Sequence, residues 1–217
     1  MVIVVCGDSF CAASNDSRDH FSHQLQDDHG HEVINVARGG MSNVGICFQI
    51  QYAVSLRPHI IIFNRTENDR VDLVIPGRKF KPQNGLKNFI YAYPAESTYG
   101  KSCVGDVTAP IFSTVWQGLD QSRYVPITSE QITAVNLYLK YLFDNEMKDE
   151  LDSWMFDYWI SQIEKQGIIA IEIVKTGIGK IIYDFAYANP KYPSVFHTDR
   201  QTQTLLTHAL QQHISKG

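Results

Sequence analysis

Val2-Ile3-Val4-Val5-Cys6-Gly7-Asp8-Ser9-Phe10 begins with an unbroken apolar run that feeds directly into a glycine and two polar residues. Strand side chains alternate between two faces, so a run without polar residues requires a strand covered on both. Two further strands follow at short range. Asp19 to Asp27 carries Phe21 and Leu25 at an i, i+4 spacing, which predicts a short helix; His29-Gly30 ends it, and Glu32 to Val36 reads as a second strand. Val44 to Leu56 predicts a second helix with Ile46, Ile50, Ala53 and Val54 on one side. Arg57-Pro58 breaks that helix, and Ile60-Ile61-Ile62-Phe63 is a third buried strand. Strands alternating with helices through short connections imply right-handed crossovers and a parallel sheet. Such sheets bind ligands beyond the carboxyl ends of their strands. The segments of interest are therefore Gly7-Asp8-Ser9, Arg38-Gly39-Gly40-Met41-Ser42-Asn43 and Thr66-Glu67-Asn68-Asp69.

The regularity stops after the third strand. Residues 71–127 turn to Gly, Pro, Tyr and Ser around short segments at Val71 to Ile75, Phe89 to Tyr93 and Phe112 to Trp116. This stretch reads as an insertion or cap within one domain spanning residues 1–217. Thr128 to Lys148 and Glu150 to Gln166 predict two helices, with Ser129 capping the first, and Ile168 to Val174 a further core strand. The expected fold is a three-layer α/β/α sandwich around a parallel sheet of about five strands, with an insertion after the third.

Composition narrows the function classes. Hydrophobic residues make up 44% and charged residues 19%, an ordinary globular balance. A net charge of −4 gives no electrostatic reason to expect nucleic acid or an anionic membrane as partner. No stretch approaches the roughly 18 apolar residues of a membrane span, and the start carries no signal-peptide pattern. Cys6, Cys11, Cys47 and Cys103 show no metal or disulfide spacing, and Cys6 reads as a buried thiol. A soluble, cytoplasmic protein with no cofactor follows. His20 with His23, and His29 with His31, form no closed ligand set and read as a solvated helix face and a polar turn, so no metal is expected. Trp154, Phe156, Tyr158 and Trp159 alternate too densely for one helix face and read as core or as a contact surface.

In order and context, the post-strand segments resemble the SGNH hydrolase family, the GDSL-like lipases and esterases. Val4-Val5-Cys6-Gly7-Asp8-Ser9-Phe10 is similar to its first motif, and Val33-Ile34-Asn35-Val36-Ala37-Arg38-Gly39-Gly40-Met41-Ser42 to its second. Pro58 to Asp69 follows the third, a strand ending in Gly-x-Asn-Asp, with Thr66 in place of the glycine. Ser194-Val195-Phe196-His197-Thr198-Asp199 matches the last motif at its histidine, with Ser194 where an aspartate is usual. Leu205, Leu206, Ala209 and Leu210 would form the apolar face of the helix that follows. The resemblance covers the N-terminal third and the last twenty-odd residues. It implies an ester hydrolase acting on a small O-acyl group, such as a carbohydrate acetyl ester.

The chemistry of these residues agrees with that implication. A serine between a buried strand and a helix start stands near unpaired N–H groups that stabilise developing negative charge. Ser9 is the expected nucleophile and His197 its general base, since an unperturbed imidazole pKa of ~6.5 suits proton transfer near neutrality. The N–H groups of Ser9 and Gly40 and the Asn68 amide are the expected oxyanion donors, with Gly39 the alternative to Gly40. Behind His197 the orienting group is open: a main-chain carbonyl, Asp184, Asp199 (which competes with helix capping), or none. A non-catalytic binding protein that keeps the fold and pocket is the alternative to an esterase, and transfer to an acceptor other than water a third.

Overall fold

The computed structural model describes residues 1–8, 10–12, 19–37, 41–66, 130, 133–134, 137–138, 141–173 and 200–215, together with the backbone of 71–74, 89–93 and 111–114. Along the chain the elements are β1 (Val2–Cys6), α1 (Phe21–Asp27), β2 (Glu32–Asn35), α2 (Asn43–Ser55), β3 (Ile60–Phe63), β4 (Val71–Val74), β5 (Phe89–Tyr93), β6 (Ile111–Thr114), α3 (Asn145–Lys165), β7 (Ile169–Glu172) and α4 (Arg200–Ile214). The main sheet is parallel in the order β2-β1-β3-β7, with Val5 opposite Asn35 and Ile62, and Ile62 opposite Ile171.

Strand alternation divides the interior into two cores. Ile3, Val5, Ile60, Ile62 and Ile171 face one side, where Phe21 and Leu25 of α1 meet Leu206, Leu210 and Ile214 of α4. Val4, Cys6, Ile61 and Phe63 face the other, against Ile46 and Ile50 of α2 and Phe156 and Ile163 of α3. Each such side chain contributes about 1.5–3 kcal/mol on full burial. The chain moves from β1 to β2 in one direction and returns past β1 to β3 in the other. With right-handed crossovers, that reversal puts α1 and α2 on opposite faces. Continuing to β7 keeps α3 on the face of α2, and the two helices pack together. The sheet therefore carries helices on both faces, the coarse sandwich expected. Its described strands number four, where the reading expects about five.

Within 71–127, β4, β5 and β6 form a separate antiparallel sheet in that order. Three details depart from the sequence reading. The break before α3 falls at residues 142–144, and the helix then runs without interruption through Asp149-Glu150. Asp144 sets the start, because its carboxylate accepts from the Met147 N–H at 2.9 Å, and Glu146 lies in the first turn. In α4, Leu205 points to solvent while Leu206, Leu210 and Ile214 are buried, so the helix is phased on an i, i+4, i+8 row. His20 is buried rather than solvated, because its ring caps α1.

Candidate active site

Strand order reverses at β1 and β3, so the crevice beyond their carboxyl ends is the expected ligand position in a doubly wound sheet. The main chain leaves β1 through Gly7 at φ 144°, a conformation that side chains disfavour. An added Cβ would lie 2.8 Å from both Cβ and Sγ of Cys11. The buried Gln49 of α2 holds this residue from both sides: its Oε1 accepts from the Gly7 N–H at 2.6 Å and its Nε2 donates to the Gly7 carbonyl at 3.2 Å. Gly7→Ala is thus expected to cost about 2–4 kcal/mol from backbone strain and overpacking. Urea unfolding checks it, and a loss below 1 kcal/mol would show that the turn relaxes freely.

Asp8 opens a helical turn. Its carbonyl accepts from the N–H groups of Cys11 at 3.1 Å and Ala12 at 2.9 Å, and its Oδ1 from that of Phe10 at 3.0 Å. The second carboxylate oxygen accepts from the Thr66 hydroxyl at 2.9 Å, which ties the segment after β1 to the segment after β3. Asn43, the first residue of α2, extends the tie. Its Oδ1 accepts from the Thr66 N–H at 2.9 Å, while its Nδ2 donates to the Thr66 carbonyl at 3.0 Å and to Asp152 Oδ2 at 2.8 Å. Lys148 then neutralises the buried Asp152 from one turn earlier in α3. One polar chain therefore joins Asp8, Thr66, Asn43, Asp152 and Lys148 across two loops and two helices.

Around this chain lie two further groups. Arg65 sits with its guanidinium carbon 4.5 Å from the centre of the Phe156 ring and its Nε 2.7 Å from Glu172 Oε1. The Nε–H points off that line, and the hydrogen bond of the pair runs from Arg65 Nη2 to Glu172 Oε2 at 3.3 Å. Asn64 donates to the Arg65 carbonyl at 2.8 Å, and its own buried Oδ1 has no hydrogen-bond partner among the described residues. An unpaired buried acceptor costs about 1–3 kcal/mol, and a ligand donor or ordered water would recover it.

His20 and Asn35 fix the turn after β1 from below. His20 Nδ1 accepts from the Ser22 N–H at 3.2 Å, and its Nε2 lies 3.2 Å from the Phe10 carbonyl, which assigns the ring proton to Nε2. Asn35 Nδ2 donates to the Cys11 carbonyl at 2.7 Å. Gln203 of α4 accepts from the Phe21 N–H at 2.8 Å, bringing the first turn of α4 to the start of α1. Burial pushes the Cys6 and Cys11 thiols well above their ordinary range, and for Cys11 the Asp8 carboxylate adds to the effect. Neither thiol is suited to act as a nucleophile.

Ser9, Gly40, Asn68 and His197 lie outside the described residues, as do Asp184, Ser194 and Asp199. Their nearest described neighbours are Asp8 and Phe10, Met41, Thr66 and Arg200. Of these, Asp8 and Thr66 are directly bonded. Arg200 pairs with Asp19 at 3.3 Å, on the α1 side. Among the described residues no cluster of three metal-ligating side chains occurs. No helix among them is long and apolar enough to cross a membrane. Sequence reading placed Asn43 in a segment of interest without giving it a role, read His20 as solvated and did not single out Gln49; the local signal for Gln49 was a polar position within an apolar helix.

The fold and these contacts define an α/β protein with helices on both faces of a parallel sheet and a hydrogen-bonded polar network at the carboxyl edge of that sheet. Compared with known proteins, the chain matches no family model and no curated sequence.

Proposed function

We propose that this chain is a serine ester hydrolase of the SGNH type, acting on a small O-acyl ester such as a carbohydrate acetate. The Ser9 hydroxyl attacks the acyl carbon as His197 takes its proton. The N–H groups of Ser9 and Gly40 and the Asn68 amide receive the oxyanion, each donor being worth ~2.7–4 kcal/mol. Collapse breaks the ester bond, with His197 returning its proton to the departing alcohol. Water, activated by His197, then releases the acid from acyl-Ser9. Residues 71–127 would cap the crevice.

The observation that carries this reading is the hydrogen bond from Thr66 to Asp8. It joins the chain segments that lead into Ser9 and into Asn68, the two residues that the chemistry needs side by side. Thr66 also supports the rival reading, a binding protein that has lost turnover, because its bonded side chain stands where the resembled motif has glycine.

A fluorophosphonate probe and nitrophenyl acetate separate the two. The esterase is expected to hydrolyse the acetate and to carry the probe on the peptide containing Ser9. Protein that neither labels nor hydrolyses would leave the binding role, and a label on another peptide would move the nucleophile.

A further inference from the structure

The chain enters β7 parallel to β3, so α3 runs against the strands and its first half lies at the carboxyl edge of the sheet. Two contacts fix this level: Phe156 stacks on Phe63, the last residue of β3, at 5.8 Å, and Asp152 bonds Asn43 at the start of α2. Beside that edge, Val44 of α2 and Leu151, Trp154, Tyr158 and Trp159 of α3 line a concavity of about 740 Å³. That volume lies in the range of small-ligand sites. Trp154 is 77% exposed and Tyr158 57%. The Tyr158 and Trp159 rings meet edge to face at 5.2 Å, giving two apolar walls at 80°.

The rim is polar. Among the described residues no hydrogen-bond partner meets the indole N–H of Trp154 or Trp159, or the Tyr158 hydroxyl. Lys148 and the exposed Asp157 add a cation and a carboxylate to the lining. Aromatic side chains with polar tips suit an occupant that is apolar on its faces and hydrogen-bonding at its edges. An acyl chain has nothing to offer these tips or the two charged groups. A pyranose ring has both, with C–H groups on its faces and hydroxyls around its rim.

We infer that this concavity is a saccharide-binding subsite, with Trp154 and Tyr158 as stacking platforms and Asp157 and Lys148 as hydroxyl partners. It rests on the ester-hydrolase reading only for what the saccharide carries: the ring would be the alcohol part of the ester. Binding itself is independent of turnover.

Calorimetric titration with soluble xylo-, cello-, chito- and malto-hexaoses tests it. At least one is expected to bind more tightly than about 1 mM. Trp154→Ala and Tyr158→Ala should each weaken that binding about tenfold or more, while leaving the urea unfolding midpoint at the wild-type value. Both side chains are largely exposed, so both variants fold. Failure of all four sugars to bind, or unchanged binding in both variants, overturns the subsite. So does a site that takes hexanoate and no sugar, or a dimer in sedimentation that Trp154→Ala abolishes. Trp154-dependent sugar binding without any hydrolysis would retain the subsite and reject the esterase.

Discussion

Ser9→Ala is expected to lower kcat for a nitrophenyl ester by about 10²–10⁴-fold, well short of the roughly 10⁶-fold that removing the serine costs in a complete protease triad. The difference comes from the position behind His197. Where an aspartate orients the imidazole, its loss costs about 10⁴-fold, and here Ser194 occupies that place. A dyad therefore starts from a lower rate and has less to lose, while oxyanion donors and substrate binding keep their residual contribution. His197→Ala should match Ser9→Ala, and the double variant should fall no further, because in the proposed dyad the two act as one unit. The comparison of kcat across the three variants checks this. A fall of less than tenfold would remove Ser9 from the chemistry. A fall near 10⁶ would show that a carboxylate supports the histidine, and Asp184→Asn and Asp199→Asn would then find it.

The second large effect concerns folding and activity together. Asn43→Leu keeps the approximate volume of a side chain that is 3% exposed but removes its bonds to Thr66 N–H, Thr66 C=O and Asp152. A buried group left unsatisfied costs about 1–3 kcal/mol, and neighbouring losses do not add fully. The expected destabilisation is about 3–5 kcal/mol in urea unfolding. Thr66 lies two residues before Asn68, so its release should also lower ester turnover, by up to the ~10²–10³ of a lost oxyanion donor. Asn43→Asp paired with Asp152→Asn restores one donor and one carboxylate with their places exchanged, and should recover part of both losses. Stability within 1 kcal/mol of wild type would show that Asn43 ties nothing together.

The strands were the most legible part of the fold, for a physical reason. Residues Val2 to Cys6 and Ile60 to Phe63 pair on both sides and are packed on both faces, so every position had to be apolar. Strand–helix alternation with right-handed crossovers then fixed which helix covers which face. The start of α3 was less legible, because Asp144 and Ser129 are both good caps and residues 142–144 include no glycine or proline to mark the break. Leu205 misled because two adjacent leucines cannot both face one core, and only the row through Ile214 settles the phase. His20 looked like a surface residue; its buried ring caps α1 and meets the Phe10 carbonyl, ten positions away. The polar chain was unreadable from local pattern, since Gly7 to Gln49 and Asn43 to Asp152 span 42 and 109 residues. The proposed catalytic residues stand in the sequence as motifs, while the described structure supplies the bonds between their neighbours.

Those spans also set the order in which the molecule can be built. The pairing of β1 with β2 and β3, and the packing of α1 and α2 onto these strands, lie within the first 63 residues and can form early. The Asn43 carboxamide, by contrast, meets Asp152 only once α3 has been synthesised and has docked on α2. A nascent chain thus pairs its first three strands before Asn43 meets Asp152, and the bonds that must wait longest are those from α4, between Gln203 and Phe21 and between Gln211 and His31.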